Sequence, residues 1–193
     1  MILQGYSADK QRQSLTYKGY DAVSKAYLSY AKSLFEKATT LSPFETSDDP
    51  VKNCLKVRES YQITLILKKG KRSFKIPSEL INDYIEDECD LPLDRKTPYR
   101  LPFPAWVQEH IHVDHLKPVA APTSEEFNYD HDSFIFRSSL KRHGTEADFT
   151  FEIKLLKDHI AVSEIPSYLE FKSKLDDLLP LKVEFEENET LVK

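Results

Sequence analysis

The segment that organises the chain is NCLKVRESYQITLILKKGKRSFK, which runs from Asn53 to Lys75. Its apolar members share a period of two: Leu55, Val57, Tyr61, Ile63, Leu65 and Leu67. Most of the other positions are polar: Lys56, Arg58, Ser60, Gln62, Thr64 and Lys68. A period of two puts one set against a core and the other in water, so we predict a long half-buried β-strand. Gly70 allows a tight reversal, and Phe74 and Ile76 resume the alternation, which predicts a hairpin.

Two helices are predicted before this strand, and they could pack against its apolar face. A short helix is predicted from Ser7 to Leu15. A longer amphipathic helix is predicted from Tyr20 to Ala38, because apolar residues fall there at helical intervals. These residues are Val23, Tyr27, Tyr30, Leu34 and Ala38. Leu41-Ser42-Pro43 should end this helix, and the run from Thr46 to Pro50 should be a turn into the central strand.

The middle of the chain predicts a short helix, an extended connector and a strand. The helix runs from Ser78 to Ile85, with Ser78 as its N-cap. The connector runs from Leu91 to Pro104, where four prolines exclude a helix interior or a central strand. Trp106 to Val113 alternates again, with His110 and His112 on the polar side. A predicted loop then carries an acidic patch: Glu125, Glu126, Asp130 and Asp132.

The last third predicts an antiparallel hairpin followed by a helix. Its strands run from Ser133 to Leu140 and from Ala147 to Leu155. The second strand alternates without a break, with apolar Ala147, Phe149, Phe151, Ile153 and Leu155. Ser163 should cap the final helix, which Pro180 ends. Its apolar stripe consists of Ile165, Leu169, Leu175, Leu178 and Leu179.

Together these patterns predict an α+β fold, with antiparallel hairpins packed by a long N-terminal helix and a C-terminal helix. We expect a single domain over residues 1–193. It would have a helical part at 6–40, an α+β body at 51–180 and a solvated tail at 181–193.

Composition restricts the classes of function. Of the 193 residues 40% are hydrophobic and 31% are charged, as in ordinary globular proteins. The net charge of −5 and the lack of a basic stripe argue against nucleic-acid binding. No apolar run approaches the roughly 20 residues that a membrane helix needs. Cys54 and Cys89 fit no metal-binding spacing, so two buried thiols and a disulfide between them both stay open.

Three stretches carry a family resemblance. The first is DDPVKNCLKVRESYQI (Asp48 to Ile63), an acidic turn followed by a strand of the R-E-x-Y type. The second is RLPFPAWVQEHIHV (Arg100 to Val113), a proline-rich segment that runs into a strand. The third, Phe134 to Phe171, is a hairpin, a turn of the D-x-I-P type without its proline, and a helix. In this order they resemble the C-terminal β-rich accessory domain, a domain of unknown function, of bacterial transglutaminase-like proteins.

This resemblance implies a non-catalytic accessory module that works beside a transglutaminase-like, papain-like domain and has protein or peptide as its partner. In such proteins the catalytic Cys, His and Asp belong to the preceding domain, with the Cys at the start of a buried helix. Cys54 lies in a predicted strand and Cys89 in an acidic loop, so neither matches. No catalytic residue and no cofactor is therefore expected in this chain. The family setting also suggests a periplasmic or exported location.

A competing motif of the form H-x-H-x-D-H contains His110, His112, Asp114 and His115. It matches the zinc motif of the metallo-β-lactamase fold, and clustered imidazoles and carboxylates are zinc ligands. That fold has small residues straight after its motif, whereas Leu116-Lys117-Pro118 follows here. It also needs later ligands at strand ends, and His131, His143 and His159 do not align with such ends. A zinc-dependent hydrolase is the alternative hypothesis; otherwise these residues form the solvated face of a strand.

Three further patterns have both a functional and a structural interpretation. The acidic patch could bind Ca²⁺, but it lacks the glycine and the spacing of an EF-hand loop. The basic hairpin tip, Lys68, Lys69, Lys71 and Arg72, could meet an anion or protect an exposed sheet edge. A serine–histidine–acid set can be assembled, but no nucleophile motif supports it.

Overall fold

The computed structural model describes residues 1–35, 37–64, 73–76, 95–114, 116, 118–178 and 181–184. These residues form three α-helices: α1 (Tyr6–Lys18), α2 (Tyr20–Leu34) and α3 (Ile165–Leu178). Their strands are β1 (Ile2–Gly5), β2 (Lys37–Asp49), β3 (Cys54–Thr64), β4 (Ser73–Ile76), β5 (Tyr99–Arg100), β6 (Ala105–Val113), β7 (Thr123–His131), β8 (Phe134–His143), β9 (Glu146–Leu155), β10 (His159–Ile160) and β11 (Leu181–Glu184). Seven strands form an antiparallel sheet in the order β2-β3-β1-β6-β9-β8-β7. The predicted α+β class is confirmed.

The chain divides into two compact units. Unit one contains residues 1–70 and 105–107, and unit two contains residues 71–104 and 108–193. Strands β1 to β3, α1, α2 and the start of β6 belong to unit one. The rest of β6, strands β7 to β9 and α3 belong to unit two, as do the two small sheets that pair β5 with β10 and β4 with β11.

The alternation predicted for β3 is confirmed by the burial of its side chains. Leu55 and Val57 are buried, whereas Lys56 and Arg58 are exposed. β1 and β2 both pair antiparallel with β3. The Met1 ammonium also donates a hydrogen bond to the Val57 carbonyl oxygen at 2.8 Å. β3 is therefore an interior strand of unit one.

The helix predicted from Tyr20 to Ala38 is too long. α2 ends at Leu34; Phe35 donates a last bond to the Ala31 carbonyl oxygen and then takes an extended φ of −127°. Ala38 is buried, but it lies in β2 rather than on a helix. Two threonines follow Ala38, and β-branched residues favour strands. The spacing from Leu34 to Ala38 therefore fits a helical stripe by coincidence.

The turn predicted from Thr46 to Pro50 is mostly strand β2, which also contains Leu41-Ser42-Pro43, the predicted end of the helix. Pro43 fits there because β2 is the last strand on its side of the sheet, and proline is tolerated on edge strands and at bulges. A shift of register between Ser42 and Glu45 marks such an irregularity. The turn predicted here begins only at Pro50, between β2 and β3.

Two tyrosines of α2 pack against a core residue of β2. Phe44 of β2 is buried, and its ring centroid lies 5.1 Å from that of Tyr20 and 5.3 Å from that of Tyr27. At these distances aromatic rings contribute both buried area and favourable ring geometry. β2 is thereby fixed against α2 as well as against β3.

A charge cluster connects α1 to the β2–β3 turn. The Arg12 Nε donates to both carboxylate oxygens of Asp48, at 3.1 and 3.0 Å, and its Nη2 donates to one of them at 2.7 Å. Its Nη1 donates to Asp9 at 2.9 Å and to the side-chain oxygen of Asn53. The hydrogen bonds from Arg12 hold the pKa of Asp48 below its ordinary value. Asn53 has a φ of +45°, so the cluster also fixes a left-handed residue in this turn.

The hairpin predicted after β3 has a different partner in the structure. Residues 65–72, with Gly70 among them, lie outside the described residues. β4 pairs with β11 in a separate two-stranded sheet. β11 also corrects the predicted tail at 181–193, because its first four residues form this strand. The helix predicted from Ser78 to Ile85 lies outside the described residues.

The hairpin of the last third is confirmed as β8 and β9, which pair from Phe134 opposite Leu155 to His143 opposite Glu146. All five alternating apolar residues of β9 are buried: Ala147, Phe149, Phe151, Ile153 and Leu155. α3 covers this face, and the Phe171 ring lies 5.0 Å from Phe134 and 5.5 Å from Phe136. The core of unit two is therefore a layer of phenylalanines between the sheet and α3.

The apolar stripe of α3 differs from the prediction. Its buried residues are Ile165, Tyr168, Phe171 and Leu175. Leu169, predicted to be in the stripe, is only half-buried. The helix also starts differently, because the Glu164 carboxylate accepts the Ala161 N–H at 3.0 Å in a short 3-10 turn, where Ser163 was expected to cap. The prediction followed leucines and omitted the two aromatic residues.

The loop predicted to carry the acidic patch is in fact strand β7. It pairs with β8 from Thr123 opposite Arg142 to His131 opposite Phe134. Phe127 and Tyr129 alternate with exposed polar residues along it, but the many carboxylates hide this period in the sequence.

Two remaining predictions concern β6 and the cysteines. β6 confirms the strand at Trp106 to Val113, with Val107 buried and both histidines exposed. Cys54 is a free, buried thiol on β3, and Cys89 lies outside the described residues.

None of the described helices has both the length and the apolar composition to cross a membrane.

Candidate functional site

Two histidines of β6 meet one aspartate of β9. The His110 Nε2 lies 3.1 Å from the Asp148 Oδ1, and the His112 Nδ1 lies 2.9 Å from the same oxygen. β6 and β9 are neighbours in the sheet, and residues two apart on a strand share a face. The three side chains are 57%, 47% and 45% exposed, respectively. They form a surface group that we call the His–Asp cluster.

The His–Asp cluster is an ion pair at mildly acidic pH. The hydrogen bond to Asp148 raises the pKa of His112 above its usual value, against the opposing effect of desolvation. The same bond holds the pKa of Asp148 below its usual value. A protonated imidazole therefore faces an ionised carboxylate.

Three of the four residues of the zinc motif belong to the described part of the chain. His110, His112 and Asp114 are exposed on or next to β6, and His115 lies outside the described residues. Zinc takes neutral imidazoles, whereas Asp148 favours the protonated form of His112. Among the described residues, no three His, Cys, Asp or Glu side chains are placed to hold a metal ion. The zinc hydrolase stays a prediction from the sequence, which metal analysis of protein prepared without a His-tag column would test.

A shallow cavity of about 280 Å³ adjoins the His–Asp cluster and shares Asp148 with it. Its walls are Pro122, Thr123, Ser124, Lys141, Arg142, His143, Glu146 and Asp148. Side chains of both signs line it, so it has no clear preference for an anion or a cation.

Another histidine, His131 at the C-terminal end of β7, lies beside a serine of α3. The His131 Nε2 is 3.4 Å from the Ser167 Oγ, a pairing that suggests a nucleophile and its base. However, the Ser133 N–H donates to the His131 Nδ1 at 3.1 Å, so the proton of the neutral ring is on Nε2. The Ser167 hydroxyl donates instead to the Glu164 carbonyl oxygen at 2.8 Å. In this arrangement His131 cannot take the proton of Ser167.

Glu164 connects the residues around His131 and Ser167 into one hydrogen-bonded group. Its Oε2 accepts from the Ala161 N–H at 3.0 Å and from the Ser133 hydroxyl at 3.1 Å, and its Oε1 lies 3.5 Å from the Lys157 Nζ. The bond from the Ala161 N–H is the main cause that lowers the pKa of Glu164. Ser133 is completely buried, so its hydroxyl needs this partner. The group fixes the β7–β8 turn to the start of α3 and is structural.

The acidic patch does not converge on a cation position. Glu125 and Glu126 are neighbours on β7 and therefore point to opposite faces of the sheet. Asp130 forms an ion pair with Arg137 of β8. Asp132 is exposed in the turn after β7. The basic tip proposed at Lys68, Lys69, Lys71 and Arg72 lies outside the described residues.

The His–Asp cluster gives a testable pH dependence. A raised His112 pKa contributes stability that is complete below about pH 6.5 and is lost as the pH rises through the folded value. A lowered Asp148 pKa contributes stability that is present above about pH 3.8 and is lost as the pH falls through the folded value. The ion pair should therefore stabilise the protein most between these limits.

NMR titration should show that Asp148→Asn lowers the His112 pKa and that Asp132→Asn leaves it unchanged. An unchanged value in Asp148→Asn would contradict the pairing.

Sequence reasoning placed His110 and His112 on the solvated face correctly but did not include Asp148. The signal for Asp148 is its polar position in the alternation of β9, yet nothing local shows that β6 is the neighbouring strand. Comparisons of this chain with protein-family models, with curated proteins and with solved structures found no match.

Proposed function

We propose that this chain is a non-catalytic binding module that takes an extended segment of a protein or peptide partner as an additional strand beside β7. One observation carries this proposal: β7 is the last strand of the seven-stranded sheet, and β8 is its one neighbour among the described strands. An open edge presents unpaired backbone N–H and C=O groups, which bind extended peptides in many recognition modules.

The geometry of the hairpin shows which backbone groups face the open edge. Two residues, Asp132 and Ser133, separate the paired His131 and Phe134. The pair that closes a two-residue hairpin is hydrogen-bonded, and hydrogen-bonded pairs then alternate along the strands. The backbone groups of odd-numbered β7 residues therefore point to β8. Those of the even-numbered residues 124, 126, 128 and 130 point to the open edge.

The partner suggested by the family resemblance is a transglutaminase-like, papain-like domain. The chemistry would then belong to that domain, while this chain would orient it or recognise its substrate.

Asn128 offers a test of the edge with a matched control. Its N–H points outward and its side chain is exposed, so Asn128→Pro removes an edge donor without removing a β7–β8 bond. Random nine-residue peptides, equal in length to β7, would be screened against the full chain. We expect Asn128→Pro to weaken peptide binding by about tenfold, because proline removes one backbone hydrogen bond to the peptide and its ring hinders the close approach of the peptide strand. Asn128→Ala keeps the N–H and should leave binding unchanged. Equal binding to Asn128→Pro, or the absence of any binding peptide, would refute the proposal.

A further inference from the structure

We infer that the strand accepted by β7 is a basic amphipathic one, in which Lys or Arg alternates with apolar residues, supplied by another protein. This inference rests on the proposed function and adds the chemistry of the partner.

The face of β7 turned away from α3 is acidic. Tyr129 stacks on Phe171 of α3 with ring centroids 4.4 Å apart, so the odd-numbered residues of β7 face the helix. Glu126, Asn128 and Asp130 therefore lie on the opposite face, where all three are exposed. Asp130 forms an ion pair with Arg137, so its charge is already balanced. Glu126 then carries the negative charge nearest the middle of the β7 edge. Cationic side chains of an added strand would stand directly beside it on this face.

The face of β7 turned toward α3 carries two aromatic rings in the middle of the strand, after the exposed Glu125. Phe127 and Tyr129 are both half-buried, and the Phe127 ring lies 6.0 Å from that of Phe136 on the β8 side. Part of each side chain therefore stays accessible. An added strand would place every second side chain beside these rings, and apolar side chains there would gain buried area.

Charge also argues against a second copy of this chain as the occupant. β7 paired with β7 would bring carboxylates close to carboxylates, and like charges on neighbouring strands are destabilising. The acidic residues should therefore disfavour self-association and favour a basic strand in the same place.

The test compares three nine-residue peptides in which valine alternates with lysine, glutamine or glutamate. Fluorescence anisotropy with the full chain at low salt should give the tightest binding for the lysine peptide, by about two- to fivefold over glutamine, and weaker binding for glutamate. The advantage of lysine should shrink as salt is added. Glu126→Gln should reduce this advantage, and Glu45→Gln, an exposed change on β2 in unit one, should not.

The outcomes separate this inference from the function on which it rests. Equal binding of the lysine and glutamine peptides, both sensitive to Asn128→Pro, would overturn the charge inference and leave the binding function standing. If no peptide binds, both fall. If sedimentation shows a dimer that Asn128→Pro dissociates, the edge pairs with itself and the inference of a basic partner is overturned.

Discussion

Replacing Phe171 with alanine should lower the free energy of unfolding by about 3–5 kcal/mol. The Phe171 side chain is completely buried, and its ring centroid lies 4.4 Å from that of Tyr129, 5.0 Å from Phe134 and 5.5 Å from Phe136. Alanine removes these contacts and leaves a cavity between α3 and the sheet. The three facing rings belong to β7 and β8, whose hydrogen-bonded register prevents them from moving together to fill it.

Urea unfolding followed by circular dichroism would measure this loss. Ser173→Ala, an exposed change on the same helix, should alter the free energy of unfolding by less than about 0.5 kcal/mol. A loss below about 1 kcal/mol for Phe171→Ala would show that α3 does not pack on the phenylalanine layer as described. Phe171→Leu keeps part of the buried volume, so its smaller loss remains measurable if the alanine variant does not fold.

Replacing Leu55 with alanine should cost about 2–5 kcal/mol of stability. Leu55 is 1% exposed on β3, which has β1 on one side and β2 on the other. Strands on both sides hold the β3 backbone in place, so the surrounding structure cannot relax into the lost volume.

Lys56→Ala is the matched control for this variant. Lys56 follows Leu55 directly, points to the opposite face and is exposed, so its replacement should change stability by less than about 0.5 kcal/mol. Thermal unfolding of both variants would give the comparison. Similar losses at the two positions would mean that the register of β3 is shifted by one residue.

The His–Asp cluster and the β7 edge show two limits of reasoning from the sequence about a site. The motif at His110 to His115 was interpreted as the solvated face of a strand or as a metal centre, and neither interpretation included Asp148, the partner of two of its imidazoles 36 positions beyond His112. The acidic patch suggested a loop or a cation site, but it marks the edge of a sheet. In both cases the residue types were noticed, but their neighbours in space could not be identified from the sequence.

The alternating residues alone were enough to predict β3, β6, β8 and β9, together with the α+β class. A period of two arises within one strand, from the opposite directions of successive side chains, so it can be read without any partner. Leu55 and Val57, and the five buried residues of β9, followed directly from it.

Contacts between residues far apart in the sequence determined the strand partners and the buried residues that the sequence pattern did not predict. Pro43 lies in a strand because that strand is at the edge of the sheet, and Ala38 is buried there because β3 pairs beside it. β4 joins β11 across more than a hundred residues, and α3 buries Tyr168 and Phe171 because aromatic rings of the sheet face them. The free energy of each such contact depends on two distant parts of the chain, and no local period contains that information.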